Sequence, residues 1–105
     1  MKPSEIATSF RLEPGLFLPD LEVASQEELF AALVDALVAA RAVLDRDALL
    51  RLLVEREALG TTGLGHGVAI PHARSMVARR TSLVCARLAR ELDFGAVDGA
   101  PVRLV

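Results

Sequence analysis

Residues 59–74 read LGTTGLGHGVAIPHAR, a glycine-rich segment that runs into a short apolar stretch and a Pro-His pair. Glycine occupies four of the eight positions from 60 to 67, a density that regular secondary structure rarely tolerates, so a loop is expected there. Val68-Ala69-Ile70 is typical of a short strand, which Pro71 ends because proline lacks the N–H that a central strand needs. The pattern places His72 just beyond the end of that strand.

Two amphipathic helices are predicted before this segment. Ser25 and Glu28 match a capping box, and an apolar stripe follows at helical spacing. The stripe comprises Leu29, Phe30, Leu33, Val34, Leu37 and Val38. Asp45 fits the N-cap of a second helix from Arg46 to Leu59, with Gly60 as its C-cap. The short connection between the helices favours an antiparallel helical hairpin.

Further strands are predicted on both sides. Thr81 to Ala89 is rich in β-branched and aliphatic residues, and Val102 to Val105 is another apolar run. Residues 93–99 between them read as a turn region. Leu16-Phe17-Leu18, flanked by two prolines, is a further short candidate.

The composition indicates one globular domain, with 105 residues, 52% hydrophobic positions and a net charge of −2. No apolar run approaches the ~20 residues of a membrane span, and the balanced charge offers no basic field for nucleic acid. The aromatic content of 4% is too low for a base-stacking surface. A lone cysteine, Cys85, and an acidic residue, Glu5, where a signal peptide would be apolar, favour a cytoplasmic protein.

Several chemistries fit these residues poorly. A nucleotide-binding glycine loop lies between a strand and a helix, whereas the order here is helix, loop, strand. His66, His72 and Cys85 are suitable zinc ligands by type, but no paired-ligand spacing is present. Ser75 and Ser82 are not part of a hydrolase motif, and the sequence shows no matched acid and base residues for either. We therefore expect neither a metal nor a cofactor.

His72 suits nucleophilic attack on phosphorus, because a neutral imidazole has one free ring nitrogen near pH 7. Pro71 restricts the backbone before it, and amides of a glycine loop can approach a phosphoryl group closely. The charge of a phosphate calls for a planar, bidentate donor such as Arg56 or Arg74. On the residues alone, an ordinary loop histidine is an equal alternative.

The segment Leu59–Arg74 resembles the signature of the EIIA domains of the mannitol/fructose class, which belong to the bacterial phosphoenolpyruvate-dependent sugar phosphotransferase system. The helical hairpin, the strand from Thr81 and the segment Leu92–Val102 are similar as well. The resemblance implies that His72 receives phosphate from the carrier HPr or its nitrogen-branch paralogue. It also implies that Arg56, in the helix before the glycine segment, helps to hold the phosphohistidine.

We therefore expect an α/β domain over residues 1–105, with a mixed sheet flanked by helices. His72 is the expected nucleophile of this phosphotransferase component, and Arg56 with the loop amides at Thr62 and Gly63 is expected to bind phosphoryl oxygens. The phosphate would pass to an EIIB subunit or serve as a regulatory signal, and the absence of a fused EIIB favours the nitrogen-regulatory branch. A non-catalytic EIIA-like interaction module and a small metal-binding protein are the alternatives.

The end of the chain departs from the family pattern. Family members are longer and carry a further histidine beyond the position of Val105, a role that His66 is not expected to take over. We expect a domain that is incomplete at the C-terminus and lacks its C-terminal helices. Strands around Val68, Val84 and Val102 are apolar enough to need cover on both faces, so self-association or docking on a partner is expected.

Overall fold

Two helices lie before the glycine-rich segment in the computed structural model. Helix α1 spans Gln26–Ala39. The Oγ atom of Ser25 accepts the N–H of Glu28 at 3.1 Å, as the predicted capping box requires. The Glu28 carboxylate accepts the N–H of Ala24 at 2.8 Å, one residue before the N–H that a standard capping box bonds. The predicted start of the helix is confirmed.

Helix α2 spans Arg46–Leu59, the predicted bounds. At its start the Asp45 carboxylate accepts the N–H of Ala48 at 3.1 Å. At its end Gly60 leaves the helix in an extended conformation, and its N–H donates to the Glu57 carbonyl at 3.2 Å. Both caps satisfy groups that a helix end leaves without a partner.

The helices pack against each other through their apolar faces, which confirms the predicted helical hairpin. The buried positions are Leu29, Phe30, Leu33 and Val34 of α1 and Leu49 and Leu53 of α2. An exposed ion pair between Asp35 and Arg46 also joins them. Burial of the aliphatic side chains dominates this contact, because exposed ion pairs contribute at most about 1 kcal/mol.

Five strands form one mixed sheet, which confirms the expected α/β class. A short 3-10 helix leads into β1. The strands are β1 (Phe17–Leu21), β2 (Gly63–Gly65), β3 (Val68–Ala69), β4 (Cys85–Leu92) and β5 (Val102–Leu104). Their order in the sheet is β1-β4-β5-β3-β2, with β1 parallel to β4 and β3 parallel to β5. The β4–β5 and β2–β3 pairs are antiparallel.

The strand predicted from Thr81 to Ala89 begins four residues later and ends three residues later than expected. Its partner β1 starts at Phe17, which pairs with Cys85, and at the other end Leu92 pairs with Val102. Strand bounds therefore follow the positions where partner backbones exist, whereas composition marks only the apolar run.

Strand β1 contains Pro19, which the sheet accepts because β1 is an edge strand. The Pro19 carbonyl accepts a hydrogen bond from Nε of Arg87 at 2.9 Å. The predicted strand at Leu16 to Leu18 is therefore correct in place but shifted, since Leu16 lies in the 3-10 helix and the strand continues to Leu21.

The two faces of the sheet differ. Ala86, Leu88 and Leu92 of β4 are buried in the core that also contains both helices. On the opposite face, the register places Phe17 beside Cys85 and Leu104 beside Arg87. Phe17 is 43% exposed and Leu104 is 41% exposed. Self-association through such a face stays a prediction, which light scattering over a concentration series would check.

The structure describes residues 14–79 and 81–105. The N-terminal residues used in the signal-peptide argument, Met1 to Glu5, lie outside this part of the chain. Within the described ranges no helix is both long enough and apolar enough to cross a bilayer.

Candidate functional site

The glycine-rich segment contains a β-hairpin, which corrects the expectation of a loop without regular structure. Strand β2 pairs with β3 through Gly63 with Ala69 and Gly65 with Val68. The turn between them is His66-Gly67, with positive φ angles of 57° and 78°. Two-residue turns with positive φ at both positions match the right-handed twist of a hairpin, which explains a glycine at the second position.

A carboxylate from a distant loop holds this turn. Asp98 lies between β4 and β5, and its Oδ2 accepts the N–H of His66 at 2.9 Å while its Oδ1 accepts the N–H of Ala100 at 3.0 Å. Glycine is favoured at position 65 because the φ angle there is +101° and a Cβ would lie 3.1 Å from Oδ2 of Asp98, closer than ordinary contact. The N–H of His66, followed by that of Ala100, lowers the pKa of Asp98 below its ordinary value because both bonds favour the ionised form.

Polar contacts also fix the chain between α2 and β2. The Thr62 N–H and Oγ1 both donate to the Glu57 carboxylate, at 3.0 and 2.6 Å, and Thr62 is 3% exposed. The Oγ1 of Thr61 accepts the N–H of Gly63 at 3.0 Å and donates to the Phe94 carbonyl at 2.6 Å. The two amides that were predicted to bind phosphate, those of Thr62 and Gly63, thus already have acceptors.

His72 follows β3 and Pro71 with its ring at the surface. Its Nδ1 lies 2.9 Å from the carbonyl oxygen of Ile70. A carbonyl oxygen only accepts hydrogen bonds, so this contact requires the proton on Nδ1 when the ring is neutral. The Nε2 atom then carries the lone pair, which makes it the nucleophilic nitrogen of the ring.

An open pocket of about 270 Å³ brings His72 together with Arg56, the predicted phosphate-binding arginine. Its lining comprises Leu52, Glu55, Arg56, Leu59, His72, Ala73 and Arg74. Neither Thr62 nor Gly63 lines it. The sequence offered two arginines as the bidentate phosphate ligand, Arg56 and Arg74. Both line the same pocket as His72.

The guanidinium of Arg56 is held at the end of helix α2. Its Nη1 donates to the carbonyl of Gly60 at 2.9 Å, which uses one of the five N–H donors of the group. This bond also satisfies a carbonyl that the end of the helix leaves free. The arrangement fixes a positive charge and further donors at the edge of the pocket, which suits an incoming phosphoryl group.

The residues of the zinc alternative are dispersed. His66 lies at the exposed tip of the β2–β3 hairpin, and Cys85 is partly buried at the start of β4. In residues 14–79 and 81–105 no group of three or more histidine, cysteine, aspartate or glutamate side chains could hold a metal ion. Ser75 accepts the N–H of Val77 at 3.1 Å and so serves a local turn.

Sequence reasoning missed Glu57, Thr61 and Asp98. Glu57 offered a signal, because a carboxylate in the last turn of a helix is unfavourable next to the helix dipole and so implies a specific partner. Asp98 and Thr61 offered none, since their partners lie 32 and 33 residues away in the chain.

The family described as "Phosphoenolpyruvate-dependent sugar phosphotransferase system, EIIA 2" matches residues 11–105. The chain belongs to this family. A curated EIIA relative, the "PTS system fructose-specific EIIA component" of Haloferax volcanii, is 42% identical over 82 residues, which are 78% of this chain and 53% of that protein. The "Nitrogen regulatory protein" of Bradyrhizobium diazoefficiens is 39% identical over 92 residues, 88% of this chain and 60% of that protein. The chain therefore spans between half and two thirds of the length of these relatives.

Solved EIIA structures share the fold. The crystal structure of the nitrogen regulatory protein IIA-Ntr from Neisseria meningitidis matches with a TM-score of 0.81 and 34% identity, over 95% of this chain and 66% of that one. The crystal structure of IIA mannitol from Escherichia coli matches with a TM-score of 0.78 and 24% identity, over 91% and 69%. The mixed sheet with two helices is thus an EIIA fold, as the sequence predicted.

Proposed function

We propose that this EIIA chain carries a phosphoryl group on Nε2 of His72. The observation that supports this most directly is the contact of Nδ1 with the Ile70 carbonyl, which leaves Nε2 unprotonated in a pocket shared with Arg56. The Nε2 lone pair forms the new bond to phosphorus. The bond between phosphorus and the donor atom of the phosphorylated carrier breaks, and its electron pair stays with the carrier.

Arg56 and Arg74 are the proposed phosphoryl-binding side chains. Phosphoryl transfer depends mainly on positioning and on stabilisation of charge over the phosphoryl oxygens, which a guanidinium provides with two parallel donors. Direct binding by the Thr62 and Gly63 amides stays a prediction, and it would require their bonds to Glu57 and Thr61 to open.

The proposed phosphoryl donor is HPr or its nitrogen-branch paralogue in the cytoplasm. Exposed apolar residues support docking of such a carrier, since Leu59 of the pocket lining is 86% exposed and Ile70, two positions before His72, is 51% exposed. The acceptor is an EIIB subunit, or the phosphorylated state itself acts as a regulatory signal. The relatives carry names from both branches, and the similarity to two nitrogen regulatory proteins supports the regulatory role.

Incubation with phosphoenolpyruvate and the upstream carriers, followed by intact mass measurement, tests the proposal. We expect the mass increase of one phosphoryl group, its loss in His72→Ala and its retention in His66→Ala. NMR of the product should show the phosphoryl group on Nε2. A folded protein that gains no phosphate would instead favour the non-catalytic interaction module, and phosphorylation of His72→Ala would remove His72 from the site.

A further inference from the structure

Thr62 lies between helix α2 and the hairpin that precedes His72. It is buried, and its N–H and Oγ1 both donate to the partly buried carboxylate of Glu57. On its other side, the Thr62 carbonyl accepts the N–H of Ile70 at 3.0 Å. Thr62 therefore hydrogen-bonds both to Glu57 of helix α2 and to Ile70, the residue that follows β3.

Ile70 continues this series of contacts. Its N–H is bonded to Thr62, and its carbonyl accepts Nδ1–H of His72 at 2.9 Å. The peptide groups are rigid and planar, so a fixed N–H of Ile70 limits the freedom of the adjacent backbone, including the carbonyl that orients the imidazole. At each step from Glu57 through Thr62 and Ile70 to the ring, the shortest hydrogen bond is 3.0 Å or less.

We propose that Glu57 is a positioning residue for His72. Through Thr62 and Ile70 it holds the imidazole in the tautomer with the proton on Nδ1 and keeps Nε2 available to phosphorus. Its effect on the tautomer is independent of the carrier role, whereas its effect on transfer rests on the proposed function.

The energetics of the contact support a specific role for this carboxylate. A glutamate in the last turn of a helix is disfavoured by the helix dipole, so Glu57 costs stability at that position unless its contacts offset the cost. Bonds from an N–H and a hydroxyl to an ionised carboxylate are stronger than neutral ones. Loss of the carboxylate would leave two buried donors of Thr62 without a partner, and the chain before β2 would shift to satisfy them.

The tautomer of His72 can be read without any phosphoryl donor, from long-range proton–nitrogen NMR spectra at a pH where the ring is neutral. We expect mainly Nδ1–H in the unmodified protein and a larger share of Nε2–H in Glu57→Ala. Glu57→Gln should restore the original state, because its amide can accept from the Thr62 N–H and donate to Oγ1. Glu91→Gln, an exposed carboxylate on β4, is the matched control and should have no effect.

Phosphoryl transfer provides the second readout. Misplacement of a reacting group by about 1 Å can lower a transfer rate about 100-fold, so we expect a loss of about 10-fold to 100-fold in Glu57→Ala and recovery in Glu57→Gln. Thr62→Val, which keeps the shape and removes only the hydroxyl, should shift the tautomer in the same direction by a smaller amount. It decides the matter if Glu57→Ala does not fold.

Folded variants with the original tautomer and the original rate would overturn the positioning role. A shifted tautomer in a protein that never accepts phosphate would support the role of Glu57 and contradict the proposed function. A lower rate with an unchanged tautomer would also count against the proposal.

Discussion

The carboxylate of Asp98 accepts the backbone N–H of His66 at 2.9 Å, although the two residues are 32 positions apart. This bond joins the β4–β5 connection to the turn of the β2–β3 hairpin. His66 adopts a φ angle of 57°, a left-handed conformation that is uncommon for a residue with a side chain, so the turn needs support from outside. Asp98 provides that support to the hairpin that precedes His72.

The Asp98 contact predicts a dependence of stability on acid. The N–H of His66 lowers the pKa of Asp98 in the folded state below its ordinary value of 3.8, so the folded state binds this proton less readily than the unfolded state. The stabilisation is complete above pH 3.8 and is lost as the pH falls through the lower folded-state pKa. Asp98→Asn should remove this part of the acid dependence, measured by chemical denaturation at a series of pH values.

Asp20→Asn is the control for that series, because Asp20 is an exposed carboxyl on β1 away from the hairpin. This variant keeps the bonds of Asp98 to His66 and Ala100, so it should retain the acid dependence that Asp98 contributes. An Asp98→Asn profile that also overlays the unmodified one would show that the carboxylate does not support the turn.

Arg56→Lys should slow phosphoryl transfer with little effect on folding. Lysine keeps the charge but lacks the planar fork that bonds two phosphoryl oxygens at once. Loss of one hydrogen bond to a charged group corresponds to a rate about 10-fold to 100-fold lower. The measurement is the rate at which the variant gains phosphate from a phosphorylated carrier.

Arg51→Lys is the matched variant for Arg56, since Arg51 is exposed on the same helix and does not line the pocket. It should transfer phosphate at the original rate. If Arg56→Lys transfers phosphate as fast as Arg51→Lys, Arg56 is not part of the proposed site. If the two variants have the same thermal unfolding midpoint, a difference between their rates arises in transfer and not in stability.

Gly63→Ala should destabilise the fold by about 1–3 kcal/mol, the usual cost of an extra methyl group in a filled space. A Cβ at this position would lie 2.8 Å from the Cβ of Ala96 and 3.2 Å from that of Phe94. Chemical denaturation measures the change. Gly60→Ala is the comparison, because a Cβ there meets no atom within 4 Å and the backbone is extended, and it should cost clearly less.

The close approach at Gly63 depends on how the loop after β4 is anchored. The ring of Phe94 packs edge-on against Phe30 of α1, with centroids 6.2 Å apart. This contact draws the loop onto the hairpin, so a small residue is needed where they meet. An Ala variant as stable as the original protein would mean that the loop can move away at no cost.

Local sequence was sufficient for both helices. Ser25 and Asp45 each bond an N–H three residues ahead, and Gly60 ends the second helix at its own position, so every contact that sets these bounds lies within a few residues. The Pro71-His72 step and the arginine at position 56 were likewise recognisable from the order of residues and the family resemblance. Their meeting in one pocket is what the structure added.

The glycine-rich segment shows what the sequence did not reveal. Its density of glycine predicted a loop, because regular secondary structure rarely contains so many residues without a side chain. In the structure, glycine is needed at these positions because residues that are distant in the chain pack closely against them. Ala96 fills the space beside Gly63, and Asp98 fills the space beside Gly65. The strand character of Gly63–Gly65 therefore depends on a partner strand and on the loop after β4.

Sequence alone determined the helical hairpin and the fold class, because capping residues, apolar spacing and a continuous motif are local properties. It also predicted His72 as the nucleophile through the family resemblance, and that role stays a prediction. Tertiary structure decided three further contacts: which ring nitrogen of His72 faces a carbonyl oxygen, which carboxylate accepts the N–H and Oγ1 of Thr62, and which side chain bonds the hairpin turn. Those outcomes depend on the Ile70 carbonyl, the Glu57 carboxylate and Asp98. Their geometry is set when the sheet closes and brings β2, β3 and the β4–β5 loop together, which no pattern of neighbouring residues specifies.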